Sequence, residues 1–280
     1  MDENRLPPGL YIVATPIGNL NDLSFRAGNI LQRADAIAAE DSRVTGKLLK
    51  HIGARAPLIR YHEHNAAEAR PRILKRAVSE AIALVTDAGT PLISDPGYKL
   101  VAGAQAQGVA VTSIPGPCAA IVGLTLAGLP TDRFLFAGFL PVKDKARRDA
   151  LAELSEIRAT LVLFESGPRL AKALASAADV LGRRDAAVTR ELTKLHEEVR
   201  RAPLPDLAAH YAEAGAPKGE NVLVIAPPDP PAPASADDLD SALRKALETD
   251  TLKSAVRQVT DRLGLPRADV YARALALKDE

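Results

Sequence analysis

At 280 residues, with 47% hydrophobic and 25% charged side chains, the chain has a globular composition and length enough for two domains with cores of their own. Its net charge of +1 supplies no global basic field, so a nucleic-acid partner must be held by local patches. The single Cys118 cannot pair within the chain, no Cys/His cluster has zinc-site spacing, and no apolar run reaches the roughly 18 residues of a membrane span. With no apolar signal core behind Met1 to Arg5, these features predict a cytoplasmic protein without disulfide, metal or membrane anchor.

From residue 10 to about 137, strand-like apolar runs alternate with amphipathic stretches, the βαβ pattern of a mostly parallel sheet. Strands are expected at 10–15, 35–39, 57–60, 81–86, 109–114 and 134–137, with helices between them, most clearly over 68–80 and 116–127. Residues 1–140 are therefore read as a first α/β domain. After Pro141 a polar stretch at 142–149 runs into a helix to Ile157. A strand at 160–165, a helix at 168–181 and strands at 186–189 and 221–226 follow, making 141–226 a second α/β domain. The proline-rich segment 227–236 reads as an extended linker. Residues 237–280 read as helical, with Leu252, Val256, Val259 and Leu263 on one face and Val270, Ala274 and Leu277 on another. Gly264-Leu265-Pro266 between them completes a helix-turn-helix outline.

Three loops at carboxyl ends of expected parallel strands carry the strongest functional signal. They are Ala14 to Leu20, Asp87 to Gly97 and Pro115 to Ala120. Gly89 and Gly97 are free to take positive φ and admit a ligand to the backbone, while Pro91 and Pro96 stiffen the longest loop. Three such loops on one sheet edge describe a single ligand crevice. The first βα turn lacks G-x-G-x-x-G, and the chain has no Walker A motif. Loops that are mostly uncharged suit a ligand held by backbone carbonyls and amides. S-adenosylmethionine, with no phosphate and a sulfonium that carbonyl oxygens can face, has that character.

Six motifs then occur in order: Ala-Thr-Pro-Ile-Gly-Asn-Leu at 14–20, Ala-Glu-Asp-Ser-Arg at 39–43, Thr-Asp-Ala-Gly-Thr-Pro-Leu-Ile-Ser-Asp-Pro-Gly at 86–97, Pro-Gly-Pro-Cys-Ala at 115–119, Phe-Ala-Gly-Phe-Leu-Pro at 136–141 and Arg-Glu-Leu-Thr-Lys at 190–194. Over residues 10–226 the chain resembles the tetrapyrrole-methylase (class III methyltransferase) superfamily, and within it the bacterial 16S ribosomal RNA cytidine 2'-O-methyltransferases. The tail resembles their appended helix-turn-helix. The resemblance implies two α/β domains with S-adenosylmethionine bound between them. It assigns Pro16, Gly89, Thr90, Pro91, Ile93, Cys118 and Ala119 to the donor site from the first domain, and Glu165, Leu192 and Ala226 from the second. Cys118 stands where Ser or Thr is usual, so a backbone contact there is expected in place of a hydroxyl. The resemblance also implies a homodimer acting on the small ribosomal subunit, not on DNA.

Several residues carry two readings. Glu40, Asp41 and Arg43 either face the RNA side of the crevice or form an ion-pair cluster starting a helix capped by Ser42. His62 and His64 flank Glu63 like a metal pair, but no third ligand is evident and a polar loop is favoured. Cys118 reads as a small buried hydrophobe, not a nucleophile. Glu191 and Lys194 would share a face if helical. Arg147 and Arg148, with Lys143 and Lys145, read as a solvated helix face or as a phosphate-contacting patch. Asp95, Glu40 and Lys194 are the groups placed to assist deprotonation of the hydroxyl. The alternatives are a small-molecule methyltransferase of the same superfamily, acting on a tetrapyrrole, and a non-catalytic RNA-binding protein.

Overall fold

The computed structural model describes residues 5–229 and 236–279, and the chain forms two compact units that divide at Pro228 and Asp229. The first unit opens with β1 (Gly9–Val13), α1 (Phe25–Arg33), β2 (Ala36–Ala39), α2 (Ser42–His51), β3 (Leu58–Arg60), α3 (Ala66–Ala77), β4 (Ala81–Val85), α4 (Tyr98–Ala106), β5 (Val111–Ile114) and α5 (Ala119–Ala127). The five strands pair in parallel in the order β3-β2-β4-β1-β5. β1, β2 and β4 are buried at every residue, as expected of strands covered on both faces, which is why they read as unbroken apolar runs. Chain direction across the sheet reverses between neighbouring β1 and β4, since β1 leads to β2 on one side and β4 to β5 on the other. Their carboxyl ends mark the switch point where a crevice opens.

The second sheet is built from β6 (Phe134–Phe139), β7 (Thr160–Ser166), β8 (Asp185–Arg190), β9 (Glu198–Pro203) and β10 (Glu220–Ile225), with α6 (Asp144–Ser155), α7 (Gly167–Leu181) and α8 (Leu204–Ala214). Its order is β6-β7-β10-β8-β9; only β6 and β7 are parallel, and the other ladders are antiparallel. One face is covered by α6, α7 and α8 through Leu151, Leu170, Leu174 and Leu207. The other face receives α5, whose Ala120, Leu124 and Ala127 pack on Val162, Ala187, Val222 and Val224. α5 is apolar all round because it joins the two halves. The Arg201 Nε donates to the Ala127 carbonyl at the end of that helix, 2.9 Å away, a cation at the negative end of the dipole.

Three departures from the sequence reading have physical causes. The strand near 134–137 belongs to the second sheet, where it pairs with β7, not to the first domain that the reading closed at residue 140. A short apolar strand carries no signal of its partner. β9 and α8 lie where no element was expected; β9 is an edge strand with the charged sequence Glu-Val-Arg-Arg-Ala-Pro, which hides the alternation. The cap of α2 is Asp41, whose carboxylate accepts the Arg43 N–H, and not Ser42. Of the expected linker 227–236, the part at 230–235 lies outside the described residues, as do Met1 to Asn4.

The second unit holds α9 (Ala236–Leu247), α10 (Leu252–Leu263) and α11 (Arg267–Asp279) around Leu243, Val256, Val259, Val270 and Ala274. Thr251 caps α10 by accepting from the Ser254 N–H, and Gly264 ends it in the left-handed region at φ 65°. Arg273 of α11 is tied to Asp240 of α9 through a two-point ion pair.

Gly167 begins α7 directly under the Pro217 carbonyl, and a Cβ built there overlaps that oxygen. Gly167→Ala is expected to cost about 2 kcal/mol, seen as a fall of about 4–8 °C in Tm by calorimetry.

Candidate active site

The loops after β1, β4 and β5 are stitched to one another. Thr15 and Gly89 exchange backbone hydrogen bonds of 2.9 and 3.1 Å, forming an isolated antiparallel bridge. The Thr90 hydroxyl donates to the Pro117 carbonyl at 2.9 Å. Gly89 holds φ 81°, and a Cβ there would lie 3.2 Å from Ile17 Cγ2, so glycine is what the bridge admits. The first loop also meets the second half of the unit, since a Cβ on Gly18 would lie 2.6 Å from Lys194 Cγ. A cavity of about 270 Å³ is enclosed between these loops and the second sheet.

Its apolar walls are Ile17, Ile93, Phe139, Phe164, Leu192 and Val222. Phe164 stands edge-on to both Phe136 and Phe139, with ring centroids 4.9 and 5.6 Å apart. Its polar groups are dominated by carboxylates: Glu40, Asp87, Asp95, Glu165, Glu191 and Glu220. Lys194 is the cation of the lining, and its Nζ is paired with Glu191 at 2.9 Å. Burial, then the charge of Glu40, pushes Asp95 up to about 6. Burial and the charge of Asp87 raise Glu40, and burial raises Asp87 and Glu165. The sequence reading described these loops as mostly uncharged; folding instead gathers carboxylates from separate segments around one space.

Glu165 and Asn221 face each other across the β7–β10 ladder, each 1% exposed. Arg169 pairs with Glu165 Oε1 at 3.1 Å, and Asn221 donates to the Glu165 carbonyl at 3.2 Å. Glu165 Oε2 and Asn221 Oδ1 are buried acceptors with no hydrogen-bond partner. Two such oxygens in one wall fit a ligand bearing hydroxyl or amino donors, and the ring of carboxylates fits a cation.

The non-glycine residues of positive φ among those described are Leu92, Ser94, Glu191 and Thr193, in the two loops that face each other across this cavity. Left-handed backbone at such residues costs about 1–3 kcal/mol each and concentrates at functional sites.

Of the residues singled out in the sequence, Gly89, Thr90, Ile93, Cys118, Ala119, Glu165 and Leu192 line the cavity, with Glu40, Asp95 and Lys194. Cys118 sits at the start of α5 and its side chain makes no capping hydrogen bond. Pro91 is buried beneath the long loop, and Pro16 lines a neighbouring hollow beside Val44 and Leu48. Ala226 is not at the site. It follows the carboxyl end of β10, which runs antiparallel to β7, so it lies at the opposite edge from Glu165; the start of β10, with Glu220 and Asn221, faces the cavity instead. Five residues of strand separate the two ends, roughly 17 Å. Glu191 and Lys194 meet in a tight turn, not on a helix. Asp41 and Arg43 are outside the lining: the Arg43 guanidinium folds back onto the Asp41 carboxylate, and hydrogen bonds from the side chain and backbone of Arg43 hold that carboxyl down to about 2. The capping reading holds for this pair, while Glu40 turns into the cavity. Arg147 is buried, its Nε donating to Ser176 Oγ at 2.9 Å and its guanidinium to the Val142 carbonyl at 3.0 Å and Asp144 at 2.6 Å, so it is a structural tie and no phosphate contact. Arg148 bridges Asp144 and Asp179 on the surface. The rings of His62 and His64 are 6.1 Å apart, and the described residues hold no group of three metal-ligating side chains.

The family model for tetrapyrrole (corrin/porphyrin) methylases matches residues 9–208. The chain belongs to this family. It is an S-adenosylmethionine-dependent methyltransferase by that membership. The model of the RsmI C-terminal HTH domain matches residues 233–278. Among curated relatives, ribosomal RNA small subunit methyltransferase I of Erythrobacter litoralis is 56% identical over 98% of this chain and 96% of its own length. The protein of that name from Mesorhizobium japonicum is 47% identical over 98% of this chain and 94% of its own. Among solved structures, diphthine synthase aligns with TM-score 0.59 at 18% identity over 77% of this chain and 88% of its own. Uroporphyrin-III-C-methyltransferase from Thermus thermophilus aligns with TM-score 0.56 at 20% identity over 78% and 94%. These structures share the fold.

Arg147→Ala is expected to destabilise the chain by about 2 kcal/mol, because it leaves the Val142 carbonyl and Ser176 short of a donor, whereas Arg148→Ala changes stability by about 0.5 kcal/mol or less. Urea unfolding of both variants checks this contrast, and donor affinity by calorimetry is expected to be unchanged in each.

Proposed function

We propose that the chain transfers the methyl group of S-adenosylmethionine to the ribose 2'-hydroxyl of a cytidine in the decoding centre of 16S ribosomal RNA. The observation that carries this reading is the cavity between the two sheets, acidic and apolar at once, on a chain 42–56% identical over nearly its whole length to proteins named for methylating small-subunit ribosomal RNA. The choice of cytidine and of the 2'-oxygen rests on the six ordered motifs. The same resemblance supports a cytoplasmic homodimer, and size-exclusion chromatography with light scattering is its check. The described residues hold no helix long and apolar enough to cross a membrane.

The methyl donor supplies an electrophilic methyl on a sulfonium, so the hydroxyl oxygen forms the new C–O bond as the C–S bond breaks. The residues of this chain have three tasks. Six carboxylates favour a cation in the cavity over a neutral molecule. The paired loops fix the angle of approach, and alignment of the reacting atoms is the largest contribution open to a protein that need not activate the methyl. Asp95 takes the proton from the hydroxyl. Its carboxylate lines the cavity, and a carboxyl held near 6 is a stronger base than an ordinary one while still ionised at neutral pH. We assign donor contacts to Gly89, Thr90, Ile93, Cys118, Ala119, Glu165 and Leu192, adding Asn221 and Glu220.

The test is methyl transfer from tritiated donor to small ribosomal subunits followed by nucleoside mapping, with label expected in 2'-O-methylcytidine; label on a base, or none, overturns the reading. Because the working form of Asp95 is the ionised one, kcat is expected to climb about tenfold per pH unit below about 6 and to level off above it. Asp95→Asn is expected to lower kcat by about 10²–10⁴-fold and to abolish that inflection.

A further inference from the structure

A second cavity, about 520 Å³, opens on the far side of Asp95. It shares Glu40, Ser94 and Asp95 with the first, so the two cavities adjoin along these three residues. The two spaces differ in chemistry. The first holds six carboxylates against a lysine that is already paired, whereas the second sets Arg70 and Lys99 against Glu40, Asp95 and the exposed Glu63, and no carboxylate among the described residues forms an ion pair with either cation. Arg70 projects from α3, and its Nε is buried without a hydrogen-bond partner. On the opposite rim stands Tyr98, the first residue of α4 and 73% exposed. Gly97 puts it there: its φ is 146°, and a Cβ would press within 3.1 Å of Leu92 and Leu84, so the chain turns on a glycine and leaves the ring in solvent. Tyr61 lies at the buried end.

Taking the methyl-transfer reading above as its basis, we propose that this second cavity seats the acceptor nucleotide of the RNA, splayed out of its stack, with its base against Tyr98, a neighbouring phosphate on Arg70 and Lys99, and its ribose at the Asp95 wall. A flat, solvent-facing ring beside a cavity is the platform that unstacked bases use. An unpaired guanidinium matches a phosphate, which Glu40 and Asp95 at the shared end of the cavity would repel. Electrostatics thus orients the nucleotide: phosphates on the α3 and α4 side, ribose toward the carboxylates, where the hydroxyl can give up its proton as the methyl arrives. The volume falls in the range of small-ligand sites, roughly 300–1,000 Å³.

The experiment uses the full chain with Arg70→Ala, Tyr98→Ala, Tyr98→Phe and the surface variant Lys99→Ala. Each is measured for small-subunit binding by filter retention across salt concentration, for KM and kcat in methyl transfer, and for donor affinity by calorimetry. Arg70→Ala is expected to weaken subunit binding at least about tenfold and to flatten the salt slope by about one, with Lys99→Ala acting in the same direction. Tyr98→Ala is expected to weaken binding about 5–100-fold, and Tyr98→Phe to restore it. Donor affinity is expected to stay within twofold throughout. Wild-type subunit binding and salt slope in Arg70→Ala and Tyr98→Ala would overturn the seat while leaving the methylation reading intact. Weakened binding by these variants, with no methyl transfer by the wild type, would overturn the methylation reading and keep the seat. A wild type that neither binds nor methylates the subunit would overturn both.

Discussion

The pairing of Thr15 with Gly89 is the constraint on which the site depends. Two loops that leave neighbouring parallel strands at the switch point exchange both backbone hydrogen bonds, and a third is tied in by Thr90. Without these bonds three Gly- and Pro-containing segments would each have to be ordered by their own side chains. With them, the edge of the first sheet becomes one rigid platform, and α5, leaving the third loop, carries that platform onto the second sheet. The cavity is thus set by backbone geometry, and the side chains around it are free to serve chemistry.

Those side chains are arranged against ordinary solvation. Several half-buried carboxylates share one space, and burial together with mutual repulsion raises Glu40, Asp87 and Asp95. A cation relieves that repulsion, and a product that has lost its sulfonium charge does so less. On the proposed reading, the same field that draws the donor in therefore helps release the spent donor after transfer. Glu165 and Glu191 have resident cations in Arg169 and Lys194, and the remaining acidic residues of the cavity, packed together with no ion pair among the described residues, make sense where their counterion comes and goes with each turnover.

Much of this was legible in the sequence, and the reasons are local. The buried strands β1, β2 and β4 announce themselves as unbroken apolar runs, and the loops after them combine glycines and prolines in a density that plain turns do not need. Partnership was not legible. The Phe-Ala-Gly-Phe strand reads the same whether it closes the first sheet or opens the second, and the antiparallel course of β10 brings Glu220 and Asn221, not Ala226, to the cavity. A Gly-Glu-Asn start ahead of an apolar run was the available signal. Charge was misjudged for a similar reason. Arg147 looks like its exposed neighbour Arg148 in a string of basic residues, and only the packing of α6 on α7 separates a buried tie from a surface pair. The acidity of the cavity comes from residues far apart in sequence, so no window along the chain contains it.

The left-handed residues Leu92, Ser94, Glu191 and Thr193 have a consequence for how such a chain can change over time. Glycine would relax each of these positions, so this route to a more heat-resistant protein runs through the two loops that carry the cavity walls Ser94 and Glu191. A thermophilic relative would be driven to gain its stability elsewhere, in the helical layers or the surface ion pairs, and to leave these four strained residues as they are. The site is thereby a region where selection for endurance and selection for turnover pull apart.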